Sequence, residues 1–233
     1  MIIDCHSHIG YENEYEHQNP EELIQKMNEA GIDKSIIFPF APHTKKGSTY
    51  DDNEKISKIC ESNSKFIGFG RINQLDPNAL EEVDHIIKLK LKGVKFHTSH
   101  CNITKAKKIL KKLDEHKLPL IIHTSHQKCT SPINLRKIKY SGPIIIAHAG
   151  KDHFKEAINL ANEFENIYID ISIVSLGKVQ YIIKNTNPEK ILFGSDSPYS
   201  HPKIDILKIK YATDDKTIRD QIFSKNIKKI LNI

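Results

Sequence analysis

The chain has 233 residues, of which 38% are hydrophobic and 27% charged, so it carries enough apolar side chains for a core and is not compositionally disordered. No apolar run approaches the roughly 20 residues that a bilayer span needs, and the first residues lack a basic region leading into a long apolar stretch, which predicts a cytoplasmic protein with no membrane partner. Cys5, Cys60, Cys101 and Cys129 show no Cys-x-x-Cys spacing, which argues against a zinc ribbon or a redox pair and predicts reduced thiols.

Short runs rich in Ile and Val alternate with longer segments of helical period along the whole chain, the rhythm of βαβ units. Strands are predicted at residues 2–5, 35–40, 66–69, 93–96, 118–123, 144–148, 167–171 and 191–193. Helices are predicted at residues 21–30, ending at Gly31, and at 78–91, after Asp76-Pro77, where the punctuation is typical of helix ends. Further helices are expected at 105–116, 133–140, 154–164, 176–185 and 217–231. Eight apolar strands, each followed by a helix or a long loop, predict one α/β domain over residues 1–233, a (β/α)₈ TIM barrel rather than an open doubly wound sheet. The formal net charge of +6 comes from lysines concentrated in residues 105–117, 203–210 and 225–229. They alternate with apolar residues at helical spacing, so they read as solvated helix faces and not as a nucleic-acid surface. A weak preference for anionic substrates survives, and the sequence leaves a homo-oligomer open.

The thirteen histidines carry the functional signal. Asp4-x-His6-x-His8 interrupts the first strand, where alternate residues project to one side and both imidazoles can face the same cation. Three other apolar runs end in a ligand-type residue: Pro119-Leu-Ile-Ile-His123, Pro143-Ile-Ile-Ile-Ala-His148 and Ile191-Leu-Phe-Gly-Ser-Asp196. In a (β/α)₈ barrel the C-terminal strand ends converge on one face, where active sites are built. His6, His8, His123, His148 and Asp196 are therefore the candidate metal ligands, and no other strand-end carboxylate is apparent near Asp196. Lys95 and His97 share one face of the fourth strand, and Arg71 follows the third. Each is a candidate for holding substrate, with a rim ion pair the alternative for Lys95 and a surface position the alternative for Arg71. Of the histidines just beyond strand ends, His97 is counted as a candidate, while His100 and His126 are not.

These motifs, together with Gly93-Val-Lys95-Phe-His97, Ala147-His148-Ala-Gly150, Phe193-Gly-Ser-Asp196-x-Pro198 and the last segment Asn226-Ile-Lys-Lys-Ile-Leu-Asn-Ile233, resemble the amidohydrolase superfamily and, within it, the amidohydrolase-related or amidohydrolase 2 branch. The resemblance implies that His6, His8, His123 and Asp196 bind a catalytic divalent metal, commonly zinc, and that His148 joins them or polarises the substrate. Such donors suit zinc, with manganese, iron and cobalt compatible. Some superfamily members carry a carbamylated lysine on this fourth strand, so Lys95 would imply two ions if modified and one if not. The implied chemistry is metal-assisted hydrolysis of an amide, ester or lactone bond in a small molecule, with Asp196 as proton carrier. Relatives resembling aminocarboxymuconate-semialdehyde decarboxylase supply the main alternative, a non-oxidative decarboxylase. Deoxyribonucleases of the superfamily fit less well: they usually carry a glutamate at the fourth strand and Glu-Thr-Asp near the eighth, where this chain has Lys95 and Gly194-Ser195-Asp196. A non-catalytic metal-binding barrel is the remaining alternative, though no expected ligand is missing.

Overall fold

The computed structural model of the protein describes residues 1–41, 47–97 and 102–233. Its strands are β1 (Ile3–Tyr11), β2 (His17–Gln18), β3 (Lys34–Pro39), β4 (Phe66–Gly68), β5 (Gly70–Ile72), β6 (Val94–Phe96), β7 (Leu120–Ile122), β8 (Ile144–Ile146), β9 (Ile167–Asp170) and β10 (Ile191–Leu192). All neighbouring pairs are parallel except β1 with the short β2, which forms a hairpin over residues 10–18. β4 and β5 are one strand broken at Phe69: the Phe69 N–H donates to Ile37 O at 2.9 Å and the Gly70 N–H to Gly93 O at 2.9 Å. The ring closes where the Cys5 N–H donates to Phe193 O at 3.0 Å and the His8 N–H to Ser197 O at 2.8 Å. Counting β4 and β5 together, the barrel has the eight strands expected.

The strands are apolar on both faces because both are covered. Ile3, Cys5, Ile36, Phe38, Phe69, Ile121, Ile145 and Leu192 fill the interior, and Ile227 and Ile230 pack against them. Their neighbours Val94, Phe96, Leu120, Ile122, Ile144 and Ile146 face outward, into the layer shared with the helices. The helices are α1 (Pro20–Ala30), α2 (Tyr50–Ser62), α3 (Ala79–Lys88), α4 (Lys107–Asp114), α5 (Phe154–Glu163), α6 (Leu176–Asn185), α7 (Pro202–Ala212), α8 (Lys216–Asp220) and α9 (Asn226–Leu231). α1 begins with a capping box between Asn19 and Glu22 and ends at left-handed Gly31, as the sequence predicts. The lysine-bearing segments lie on α4, α7 and α9, where Lys107, Lys203, Lys210 and Lys229 are exposed.

Two segments differ from expectation. Residues 132–137 form a 3₁₀ helix rather than an α-helix, with the Asn134 amide donating to the carbonyls of Lys128, Cys129 and Ser131. α2 was not predicted, because its inner face carries Asn53 and Ser57 beside Ile56, which thins the apolar stripe. Residues 42–46, ahead of this helix, lie outside the described residues. Among the described residues no helix is long and apolar enough to cross a membrane.

Candidate active site

His6, His148 and Asp196 place one potential ligand atom each within 4.8 Å of one another, and all three are buried. Their elements meet because β1 lies between β3 and the chain that follows β10. Asp196 Oδ1 is 3.0 Å from His6 Nε2 and 3.2 Å from His8 Nε2, and Asp196 Oδ2 is 3.8 Å from His148 Nδ1. His123 stands further out: its ring centroid is 5.1 Å from that of His148, and it stacks on His97 at 4.1 Å. Asp4 does not join the imidazoles, since the register of β1 shifts between Asp4 and Ser7. Its carboxylate instead accepts from the His6 and Ser195 N–H groups and from the hydroxyls of Ser7 and Ser195, clamping β1 to the turn that presents Asp196. Burial pushes Asp4 up to about 6.

A second strand-end carboxylate does lie near Asp196, contrary to expectation. Asp170, at the end of β9, is fully buried and its Oδ2 is 2.6 Å from His6 Nδ1. It also accepts from the Ser172 hydroxyl at 2.9 Å and the Ser172 N–H at 2.8 Å. Ser172 Oγ, having given its hydrogen to Asp170, accepts from His148 Nδ1 at 2.9 Å. One carboxylate thus orients both imidazoles, directly at His6 and through Ser172 at His148, and turns their Nε2 atoms away from it. Gly194 makes room for this, because a Cβ there would strike the Asp170 carboxylate and the His6 Cβ. The signal was present in the sequence, where Asp170 is the sole charged residue in Ile167-Tyr-Ile-Asp-Ile171.

The electrostatics fit a cation. Burial pushes His8 and His148 down to about 3, and burial with His97, His148 and Lys95 nearby holds His123 well below its ordinary value, so these imidazoles are neutral donors. For Asp196 burial acts upward, but the surrounding His6, His8 and His148 outweigh it and hold the carboxylate well below its ordinary value, so it is ionised. His8 Nδ1 is a buried nitrogen with no hydrogen-bond partner among the described residues. Neutral imidazoles, an ionised carboxylate and an outer carboxylate on His6 are donors that could hold a divalent metal ion.

The cluster opens into a cavity of about 210 Å³ lined by His8, Glu12, Arg71, Lys95, His97, His123, His148, Lys151, Ile173, Asp196 and Tyr199, among others. Arg71 and Lys95 pair in register on β5 and β6, each about 1% exposed, so neither the surface position for Arg71 nor the rim ion pair for Lys95 holds. Arg71 donates to Pro39 O at 2.6 Å, while Lys95 Nζ is 2.8 Å from His6 Nε2 and 4.7 Å from the Phe38 ring centroid. Among the described residues no carboxylate lies within 4.0 Å of either cation. Burial lowers Lys95 to about 7 and Arg71 to about 10. Of the eight non-glycine residues with positive φ among those described, four (His148, Lys151, Ile173 and Asp196) line this cavity, which is where backbone strain is expected to collect at a functional site. His126 is not among the lining residues, and His100 lies outside the described residues.

Solved structures share this fold. The chain aligns with 5-carboxyvanillate decarboxylase from Sphingomonas paucimobilis at a TM-score of 0.76 and 15% identity, covering 100% of this chain and 99% of the other. Dihydroxybenzoic acid decarboxylase from a Polaromonas species, solved with bound manganese and the inhibitor 2-nitroresorcinol, gives 0.76 and 14%, covering 99% and 96%. For 4-oxalomesaconate hydratase from Rhodopseudomonas palustris the values are 0.75 and 16%, covering 100% and 96%. No curated protein matches the sequence. The family model described as amidohydrolase matches residues 3–233, and the chain belongs to that family, in its amidohydrolase 2 branch.

Proposed function

We propose that the protein is a metal-dependent decarboxylase of a small carboxylated molecule. The carrying observation is the Arg71–Lys95 pair: two buried cations, side by side in register, open to the cavity and unmatched by any carboxylate within 4.0 Å among the described residues. Burying uncompensated charge is costly, and an anionic substrate offsets that cost. Two of the three relatives described above are decarboxylases of carboxylated aromatics, which supports this reading over hydrolysis.

His6, His8, His148 and Asp196 would hold the metal, with His123 able to complete the set. A divalent cation there supplies Lewis-acid charge to a substrate oxygen, and zinc and manganese both suit these donors. Arg71 and Lys95 bind and orient the carboxylate. Loss of carbon dioxide leaves an electron pair on the substrate carbon, which must take up one proton. Asp196 is ionised at rest, so it first accepts that proton from substrate or solvent and then delivers it to the carbon. His97 and His123, stacked on one another, form the wall beside this path. In this reading Lys95 is an unmodified ammonium; a carbamate bridging two ions would instead show as a second metal equivalent and a mass increase on Lys95.

Hydrolysis of an amide, ester or lactone is the second reading, favoured by the family description and by the same proton carrier, which would serve an attacking water and a leaving group. Carbon dioxide release separates the two. The metal-loaded protein is expected to release it from a panel of hydroxylated aromatic carboxylates that includes 2,6-dihydroxybenzoate. Cleavage of amide or lactone substrates with no carbon dioxide from that panel would replace decarboxylation by hydrolysis.

A further inference from the structure

We propose that Lys151 is a specificity-determining residue that makes the cavity select substrates with two separated carboxylates, one held by Arg71 and Lys95 and the other by Lys151. This rests on the anion-binding reading above. Lys151 ends a run of four residues with positive φ, His148 to Lys151, in the turn after β8. Its own angles, φ 47° and ψ −108°, belong to a region that glycine enters freely and an L side chain enters only under strain. The position therefore favours glycine on backbone grounds, and the next residue back, Gly150, shows that the turn already uses one at φ 78°.

Packing does not explain the lysine. It is half-buried, its carbonyl accepts from Lys178 Nζ at 3.2 Å, and no carboxylate lies within 4.0 Å of its ammonium among the described residues. What Lys151 adds over glycine is a cation at the cavity wall. The strand order β5-β6-β7-β8 sets it two strands away from Lys95, in a different sector of the mouth from the Arg71–Lys95 pair. A monocarboxylate can meet one of these sectors, and a dicarboxylate can meet both. The balance of the reaction is then one proton consumed and one carbon dioxide released. The carbon–carbon bond to the carboxylate at Arg71 and Lys95 breaks, the electron pair left on carbon takes the proton carried by Asp196, and the carboxylate at Lys151 is retained in the product.

The test is calorimetric titration of the manganese-loaded wild type and Lys151→Gly with benzoate, benzene-1,3-dicarboxylate and benzene-1,4-dicarboxylate. Wild type is expected to bind at least one dicarboxylate tenfold or more tightly than benzoate, and in Lys151→Gly that ratio should fall to about one. Without ligand, Lys151→Gly should melt no lower than wild type, because glycine relieves the backbone. A ratio that survives in Lys151→Gly, or a wild type that binds benzoate and both dicarboxylates alike, overturns the proposal and leaves the anion site standing. A lower melting temperature in Lys151→Gly would assign the lysine to packing and also count against it. Failure of the wild type to bind any of the three probes overturns the anion-binding reading, and the proposal with it.

Discussion

A carboxylate at a strand end can ligate a metal, carry a proton or orient a ligand, and the proposed function divides these roles between Asp196 and Asp170. Asp196 faces the cavity within 3.2 Å of both His6 and His8, whereas Asp170 is sealed behind His6 with 0% exposure. Asp196→Asn leaves an oxygen to coordinate weakly but removes the proton carrier, so turnover on an identified substrate should fall by about 10² to 10⁴-fold while some metal stays bound. Near-normal turnover would remove Asp196 from the proton path. Asp170→Asn should instead lower metal affinity by about 10 to 100-fold, measured by competition with a chelator, because the outer partner of a ligating imidazole sets its orientation; an unchanged dissociation constant would leave Asp170 with no orienting role. The sequence made Asp196 visible, since it follows an apolar run and completes a motif. Asp170 is inconspicuous because a lone aspartate within an apolar strand carries no partner in sequence: Ser172 is near, but His6 is 164 positions away and meets it only when the barrel closes. The same closure buries Arg71 and Lys95, whose burial no local pattern discloses.

Elements that bury a continuous apolar surface were legible, and those that bury polar side chains were not. All eight barrel strands are legible as Ile- or Val-rich runs, although β1 continues six residues past its predicted end at Cys5, through the polar His6, Ser7 and His8, and α1 is legible because its caps and its terminal glycine are local signals. α2 is hidden in the sequence because its contact with β5 is made by hydrogen bonds. Asn53 Oδ1 accepts from the Arg71 N–H at 2.7 Å, Asn53 Nδ2 donates to Arg71 O at 2.9 Å and to Glu82 Oε1 at 2.6 Å, and Thr49 Oγ1 donates to Arg71 O at 2.7 Å. This link from α3 through α2 holds the backbone under Arg71. Asn53→Ala should destabilise the fold by about 1–3 kcal/mol, since it orphans a buried N–H, and a change indistinguishable from zero in denaturant unfolding would show that water takes over the bonds. Burial raises the pKa of Glu82, against the hydrogen bond from Asn53. A raised folded value means that the proton stabilises the fold fully below the ordinary 4.5 and that this contribution is lost as pH rises through the higher folded value. The melting temperature of Glu82→Gln relative to wild type should therefore climb as pH rises from the acid range to neutrality, and a difference independent of pH would contradict the shift.

At the scale of the whole molecule, the candidate metal site acts as a clasp on the barrel. His6 and His8 come from β1, His148 from the turn after β8 and Asp196 from the turn after β10, so one ion would tie together strands that are far apart in the chain and would bind the folded form far better than the unfolded one. A ligand that binds only the native state stabilises it by mass action, about 2.7 kcal/mol at a concentration 100 times its dissociation constant. For a chain of this size each kcal/mol moves the melting temperature by about 2–4 °C, so metal loading should raise it by roughly 5–11 °C. The measurement is a thermal melt of chelator-treated protein titrated with zinc or manganese, alongside His6→Asn and His148→Asn. Both variants should lose most of the rise, because each removes a donor from the three-residue cluster. A wild-type melting temperature that does not respond to either metal, in protein that also carries none on elemental analysis, would remove the metal site, and with it the Lewis acid that both decarboxylation and hydrolysis require.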